Sequence, residues 1–406
     1  MVDDDYIMKL ASKETCTGCN ACAYVCPRKC IDFKDDKTYN IAYPVINENE
    51  CINCGKCSKI CPALNPIEGV VPLKAYAAWS SDTEERRTSA SGGIGTEIYK
   101  YALDLGWNIV GATFDNDFQV CLKVSDKLNS IKEFKNSKYV FSSIKSLFKE
   151  LDIRLKSGAK IVVIALPCQI AAIKKMFYRY LDNLLLVDLV CHGVTPADYL
   201  IQHIRSIEHK KDDKAISVFF RDPAYSTDTF TFTLYNAKND CFYAKRTANR
   251  DSYQVGYHRM ISYRENCYHC QFARQHRISD ITISDYKGIG KYAPSNIIDN
   301  RQVSCILVNT DKGKNFIDNL LKKGNIVAEE RPVKEPIEGD RQLQHPSQKS
   351  FARKIFEHRI RSCDGNFEYA MFPIVYIVSF QHFLYRAENV LKRIILKILK
   401  TFRCNK

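Results

Sequence analysis

Two continuous apolar runs, residues 160–166 (KIVVIAL) and 184–190 (LLLVDLV), dominate the pattern of hydrophobic and polar positions. Neither alternates with a period of two, so each predicts a strand buried on both faces, as in a parallel sheet. The first stops at Pro167-Cys168-Gln169 and gives way to a helical pattern over 170–181. The second stops at Cys191-His192-Gly193 before another helical pattern that begins at Pro196. Upstream, residues 75–80 read as a short apolar strand, followed by Thr88-Ser89-Ala90-Ser91-Gly92-Gly93 and then Ile94, Ile98, Tyr101, Ala102 and Leu105 at helical spacing. Strand-like and helix-like segments in alternation predict an α/β domain with a largely parallel sheet over residues 73–330. Pro62, Pro66, Gly69 and Pro72 mark a linker before it. Residues 331–406 form a C-terminal extension, polar at first and apolar from Met371. It ends on Leu391, Ile394, Ile395, Ile398 and Leu399 set against Lys392, Arg393, Lys397, Lys400 and Arg403.

Residues 1–68 carry a different signal. Cys16, Cys19, Cys22 and Cys26-Pro27 are spaced C-x2-C-x2-C-x3-C-P, and Cys51, Cys54, Cys57 and Cys61-Pro62 repeat the spacing. Three cysteines at two-residue intervals let one tight loop wrap three corners of a cubane, while the fourth reaches the other cluster. This assigns Cys16, Cys19, Cys22 and Cys61 to one [4Fe–4S] cluster and Cys51, Cys54, Cys57 and Cys26 to a second, in an α+β ferredoxin-like N-terminal domain. A zinc ribbon needs only four ligands and leaves too many of these cysteines unexplained. Cys30, just outside the first run, reads as a small buried residue and not as a ligand.

A chain of 406 residues suits two or three domains, and 45% hydrophobic with 26% charged residues is ordinary for a globular protein. The chain opens on Asp3, Asp4 and Asp5 without a charged-then-apolar leader, and no apolar stretch reaches 18 residues, so a cytoplasmic location is expected. Eighteen cysteines then argue for metal or redox chemistry over disulfides. The formal charge of +14 suits an anionic partner, and no nucleic acid is expected because no recognition motif accompanies it. The basic amphipathic end fits peripheral contact with an anionic membrane, or packing on the body or on a partner subunit.

In an open parallel sheet, ligands sit beyond the carboxyl ends of the strands, which is where Cys168 and Cys191 fall. Cys267 and Cys270, in Arg264-Glu265-Asn266-Cys267-Tyr268-His269-Cys270, would complete four thiolates, enough for a third cluster. Inert buried thiols, a small zinc site or a redox dithiol are the alternatives. The glycine pair opening the helix at Ile94 fits an anion, or a plain turn and cap. His192 suits a proton donor or a turn cap, and Cys121, Cys241, Cys305, Cys363 and Cys404 stand singly without an assigned role.

Taken in order, the cysteine runs, Ser91-Gly92-Gly93, Ala165-Leu166-Pro167-Cys168-Gln169, Cys191-His192-Gly193, the Cys267/Cys270 pair and Ser279-Asp280-Ile281-Thr282-Ile283-Ser284-Asp285-Tyr286 resemble the beta-subunit family of coenzyme F420-reducing hydrogenases and dehydrogenases over residues 1–310. The resemblance implies a flavoprotein with FAD, one [4Fe–4S] cluster in the α/β domain and two more in an attached ferredoxin domain. It places Ser91, Gly92 and Gly93 against the flavin or its phosphates, and Asn136, Ser137, Lys138 and Tyr139 in a second flavin-side segment. No catalytic acid or base is assigned, since a flavin itself joins two-electron and one-electron chemistry. The expected partner is ferredoxin, a deazaflavin such as coenzyme F420, or another small redox substrate. A subunit that only relays electrons within a larger complex is the alternative.

Overall fold

The computed structural model describes residues 10–36, 41–297, 301–381 and 384. Near the N-terminus, β1 (Ile31–Asp36) and β2 (Ile41–Ile46) form an antiparallel hairpin pairing Ile31 with Ile46. It stands between two five-residue helices, Ala21–Val25 and Lys56–Ile60. The two cysteine runs share a backbone pattern as well as a spacing. Gly18 and Asn53, two residues after the first cysteine of each run, are left-handed (φ 71° and 49°), as are Asn20 and Gly55, which precede the two helices (φ 62° and 73°). Each pair of left-handed turns curls the loop around one point, as three ligands to one object require.

Twelve further strands follow: β3 (Lys74–Ser80), β4 (Asn108–Phe114), β5 (Val120–Ser125), β6 (Ser142–Ser143), β7 (Ile161–Ala165), β8 (Leu184–Leu189), β9 (Ser217–Phe219), β10 (Phe232–Tyr235), β11 (Cys241–Lys245), β12 (Ile281–Asp285), β13 (Ser304–Val308) and β14 (Ile326–Arg331). Nine of them form one sheet in the order β14-β3-β13-β12-β8-β7-β4-β5-β6. Its centre, β12-β8-β7-β4, is parallel, while β13, β3 and β14 on one side run antiparallel to their neighbours, and β5 on the other is antiparallel to β4 and parallel to the short β6. The α/β architecture expected of the apolar runs is present, with the run of parallel strands in the middle and one short parallel pair, β5-β6, at the edge. Alternate residues of β7 and β8 serve two cores. Val162, Ile164, Leu185 and Val187 pack with Ile94 and Ile98 of the helix Ile94–Asp104. Ile161, Val163, Leu184 and Leu186 pack with Leu147, Phe148 and Ile170 from two helices on the other face.

The helix Pro167–Met176 starts directly at the end of β7. Proline suits its first turn, where the missing N–H is not needed. Gln169 fixes the start: its Oε1 accepts from Leu166 N (3.0 Å), and its Nε2 donates to the carbonyl and Oγ of Ser142 (2.9 Å each). This ties β6 to the carboxyl edge of the sheet.

A three-stranded antiparallel sheet, β11-β10-β9, packs beside the helix Ala197–Lys211. Phe356 and Ile360 of the helix Phe351–Ser362, and Phe367, Met371 and Ile374 of a following helical segment, complete the same core. Arg353 is almost fully buried there, donating to the Ile261 carbonyl (2.8 Å) and pairing with Glu357 (3.0 Å). Among the described residues no helix is long and apolar enough to cross a membrane. The basic amphipathic stretch around residues 391–403 lies outside the described residues.

Candidate functional site

The eight thiols of the N-terminal runs fall into two groups. Cys26 lines one cavity together with Cys51, Cys54 and Cys57. Cys61 instead lies among Cys16, Cys19 and Cys22, close enough for its charge to act on all three. Burial, followed by the neighbouring thiols, pushes Cys22 up to about 12, and burial pushes Cys19 up to about 11. Protonated thiols are favoured until a cation is present to stabilise the thiolates. Cys30 is buried, as expected, but its Sγ lies 3.5 Å from Cys26 Sγ on the wall of the first cavity.

Beyond the carboxyl edge of the sheet, Cys168, Cys191, Cys267 and Cys270 line a common pocket. Cys168 sits in the first turn of the helix after β7, and Cys191 just past β8. Cys267 and Cys270 are brought in by the short turn Glu265–His269, where Cys267 Sγ accepts from Val194 N (3.4 Å). Burial raises all four thiols, Cys267 to about 11. Among the described residues no three Cys, His, Asp or Glu side chains close around a single ion. A zinc ion would hold its sulfurs about 4 Å apart, from Zn–S bonds of about 2.3 Å. The corners of a cubane stand farther from one another, which suits this looser set of four soft donors.

A second, larger cavity of about 370 Å³ opens on the same edge. Ser91, Gly93, Asn136, Lys138 and Tyr139 line it, and so does the start of the helix Ile94–Asp104. Gly92 does not: its N–H donates to Ser304 Oγ (2.8 Å), and its backbone is pressed against β3. Ser91 (φ 57°) and Gly93 (φ 82°) are left-handed, which turns backbone N–H groups and a helix N-terminus toward the cavity, an arrangement suited to an anion. Lys138 is half-buried with its Nζ donating to the carbonyls of Glu133 (2.9 Å) and Lys135 (3.2 Å), and desolvation lowers it to about 7. Tyr139 stacks on Tyr257 with ring centroids 4.5 Å apart.

Two buried polar atoms on this wall, Asn136 Oδ1 and His258 Nε2, have no partner among the described residues. A bound group with a donor and an acceptor to offer would satisfy both, and the cavity has the volume of a small-molecule site. The residues therefore fit a phosphorylated, aromatic ligand of the flavin type. Arg221 and His258 line the cavity and were missed by sequence reasoning. Arg221 is buried, forks onto Asp285 through Nη1 (3.0 and 3.1 Å), and lies 4.4 Å from the Phe230 ring. Only Asp285, within the Ser279 to Tyr286 motif, pointed toward it.

The first cysteine loop, the four-thiol pocket and the larger cavity are contiguous. Cys191, His192, Gly193 and Val194 line the four-thiol pocket on one side and the larger cavity on the other. Gly193 (φ 133°) is needed there, since a Cβ would lie 2.3 Å from the Tyr263 ring. On the far side of the pocket, Thr17, Gly18 and Cys19 of the first cysteine loop form part of its wall. His192 is pushed down by burial and by Lys287, and lies 3.9 Å from Asp340.

Residues 158–334 match the family model for the C terminus of the coenzyme F420 hydrogenase/dehydrogenase beta subunit, and residues 15–65 match the 4Fe-4S dicluster domain. The chain is 28% identical over 180 residues to the coenzyme F420-dependent sulfite reductase of Methanocaldococcus jannaschii. The match spans 42% of this chain and only 26% of that relative. Among solved structures it is similar to a chain of the F420-reducing [NiFe] hydrogenase complex from Methanosarcina barkeri, with 19% identity and a TM-score of 0.42 over 69% of this chain and 89% of that one.

Proposed function

From residues 158–334, which belong to the C-terminal family of coenzyme F420 hydrogenase/dehydrogenase beta subunits, and residues 15–65, which form a 4Fe-4S dicluster domain, we propose an FAD-containing iron–sulfur oxidoreductase. It moves electrons between a soluble two-electron carrier and three [4Fe–4S] clusters. The single observation that carries this reading is contiguity. The Cys191–Val194 strip is the shared wall of a flavin-sized cavity and a four-thiol pocket, and the pocket's other wall is the first ferredoxin loop.

A flavin bound in the cavity would supply the interconversion of two-electron and one-electron transfer, and the clusters one-electron storage. The chain's own residues then bind and orient. The backbone around Ser91 and Gly93 and the following helix N-terminus take the phosphates. Asn136 and His258 meet the polar edge of the ring, and Tyr139 against Tyr257 supplies an apolar wall. Cys168, Cys191, Cys267 and Cys270 hold the third cluster. The chain's net charge of +14 favours an anionic carrier such as coenzyme F420 or an acidic ferredoxin. The ferredoxin module occupies residues 1–68, the flavin and third-cluster domain 73–330, and the extension 331–406 offers a surface for a partner subunit or a membrane, in a cytoplasmic setting.

The test is iron, sulfide and flavin content of anaerobically purified protein. About twelve iron atoms and one flavin per chain are expected, with bleaching of the flavin absorbance by a soluble hydride donor. About eight iron atoms without flavin would overturn the enzyme reading and leave an electron relay.

A further inference from the structure

Arg264 is almost completely buried between the ferredoxin module and the α/β domain. Its Nη1 donates to the Thr17 carbonyl (3.0 Å), in the loop between Cys16 and Cys19. Its guanidinium carbon lies 4.2 Å from the Phe141 ring centroid, and its side chain lines the four-thiol pocket. Its backbone belongs to the other side of the junction: Arg264 N donates to the Val194 carbonyl, and its own carbonyl accepts from Cys267 N. The first cysteine loop approaches so closely that a Cβ on Gly18 would lie 2.9 Å from both terminal nitrogens.

Among the described residues the contacts of this cation are a carbonyl and a ring, neither of which carries a charge. Its Nε has no partner among the described residues. The neighbouring Glu265 is engaged by Lys349 (2.6 Å) and Arg353 (3.4 Å). A buried cation is costly unless an anion compensates it. The anions positioned to do so are thiolate-bound clusters on its two sides, since Arg264 both lines the four-thiol pocket and donates into the loop between Cys16 and Cys19.

We propose that Arg264 is a positioning and potential-setting residue shared by two clusters, the one held by Cys16, Cys19, Cys22 and Cys61 and the one held by Cys168, Cys191, Cys267 and Cys270. Reduction of either cluster adds one negative charge beside the same fixed positive charge, so Arg264 raises both potentials together and keeps them matched. The cluster of Cys26, Cys51, Cys54 and Cys57 occupies a separate cavity that Arg264 does not line, and it serves as an internal control. This inference rests on the third-cluster reading above.

The experiment is a redox titration of the full chain, purified anaerobically and followed by electron paramagnetic resonance, for the wild type, R264K and R264M. In R264M two of the three reduction waves are expected to move to more negative potential while the third stays, and R264K is expected to restore both in part. With iron at about twelve per chain, unmoved waves, a single moved wave, or three equal shifts would overturn the proposal. Should R264M lose iron on purification, G18A, which displaces the guanidinium without removing it, is expected to move the same two waves. Failure of all three waves to respond to G18A would equally overturn it. The third-cluster reading fails separately, by an iron content of about eight in the wild type.

Discussion

Arg277 Nη2 lies 2.9 Å from Asp188 Oδ2, and both side chains are almost wholly out of water. The approach is an ion pair without hydrogen-bond alignment, because the guanidinium is aimed elsewhere. It donates to Thr282 Oγ1 (3.1 Å) and to the carbonyls of Phe272 (3.2 Å) and Arg274 (3.1 Å). Arg277 thereby fastens the end of β8 to the loop that carries Cys267 and Cys270. R277M leaves a carboxylate buried and unpaired, and is expected to cost about 3–5 kcal/mol. R277M/D188L is expected to lose less than R277M alone, since no lone charge remains. Urea unfolding of the two variants checks this, and equal losses would show that the charge is not the cause.

His203 is buried between Asp251 (3.0 Å from Nε2) and Glu368 (2.7 Å from Nδ1), with Ser252 and Tyr243 completing the network. Burial acts against the charged ring, but the two carboxylates outweigh it and carry the histidine from 6.5 up to about 10. The folded value lies above the unfolded one, so the contribution is fully present below pH 6.5 and lost as pH rises through about 10. The melting temperature should therefore fall across that window in the wild type. H203Q is expected to melt lower at pH 6 and to lose that part of the slope. An unchanged slope in H203Q would remove His203 as its source.

Lys138 faces the larger cavity, and desolvation holds it near 7. A phosphorylated ligand nearby favours the charged amine, so FAD binding at pH 8 should take up a proton. Calorimetry in two buffers of different ionisation enthalpy measures that uptake, expected to be absent in K138M. Equal uptake in K138M would place the proton elsewhere.

Single cysteine substitutions should separate the clusters. C191S and C270S are expected to leave about eight of twelve iron atoms, with the ferredoxin signals intact. C61S should disturb the cluster of Cys16, Cys19 and Cys22, and C26S the one of Cys51, Cys54 and Cys57, each crossing from one run to the other. Iron content and the paramagnetic spectrum after reduction decide it. Loss confined to the substituted run's own first three cysteines would refute the crossed arrangement.

Burial on both faces made β7 and β8 visible as unbroken apolar runs, and the residues that end them, Cys168 and Cys191, could be named from chain order. The cysteine runs were visible because ligand spacing is a local property, set by how few residues can wrap one object. Arg221, Arg264 and His258 left no such trace. Each is a single polar residue in a segment without periodicity, and each owes its place to partners far along the chain, Asp285 for Arg221 and Thr17 for Arg264. Gly92 shows the converse. Its motif was legible, but the packing of β3 against Ser304 turns it away from the cavity that its neighbours line.

Sequence alone therefore determined what depends on neighbours a few residues apart: apolar runs, helix starts, and the loops that gather three thiols. Tertiary structure decided what depends on two surfaces meeting. It joined the ferredoxin loop to the four-thiol pocket through one buried guanidinium, and it made Cys191–Val194 the wall between that pocket and the larger cavity. Those contacts pair residues up to 247 positions apart. Their cost in chain entropy is met by the whole folded core, and no local pattern encodes them.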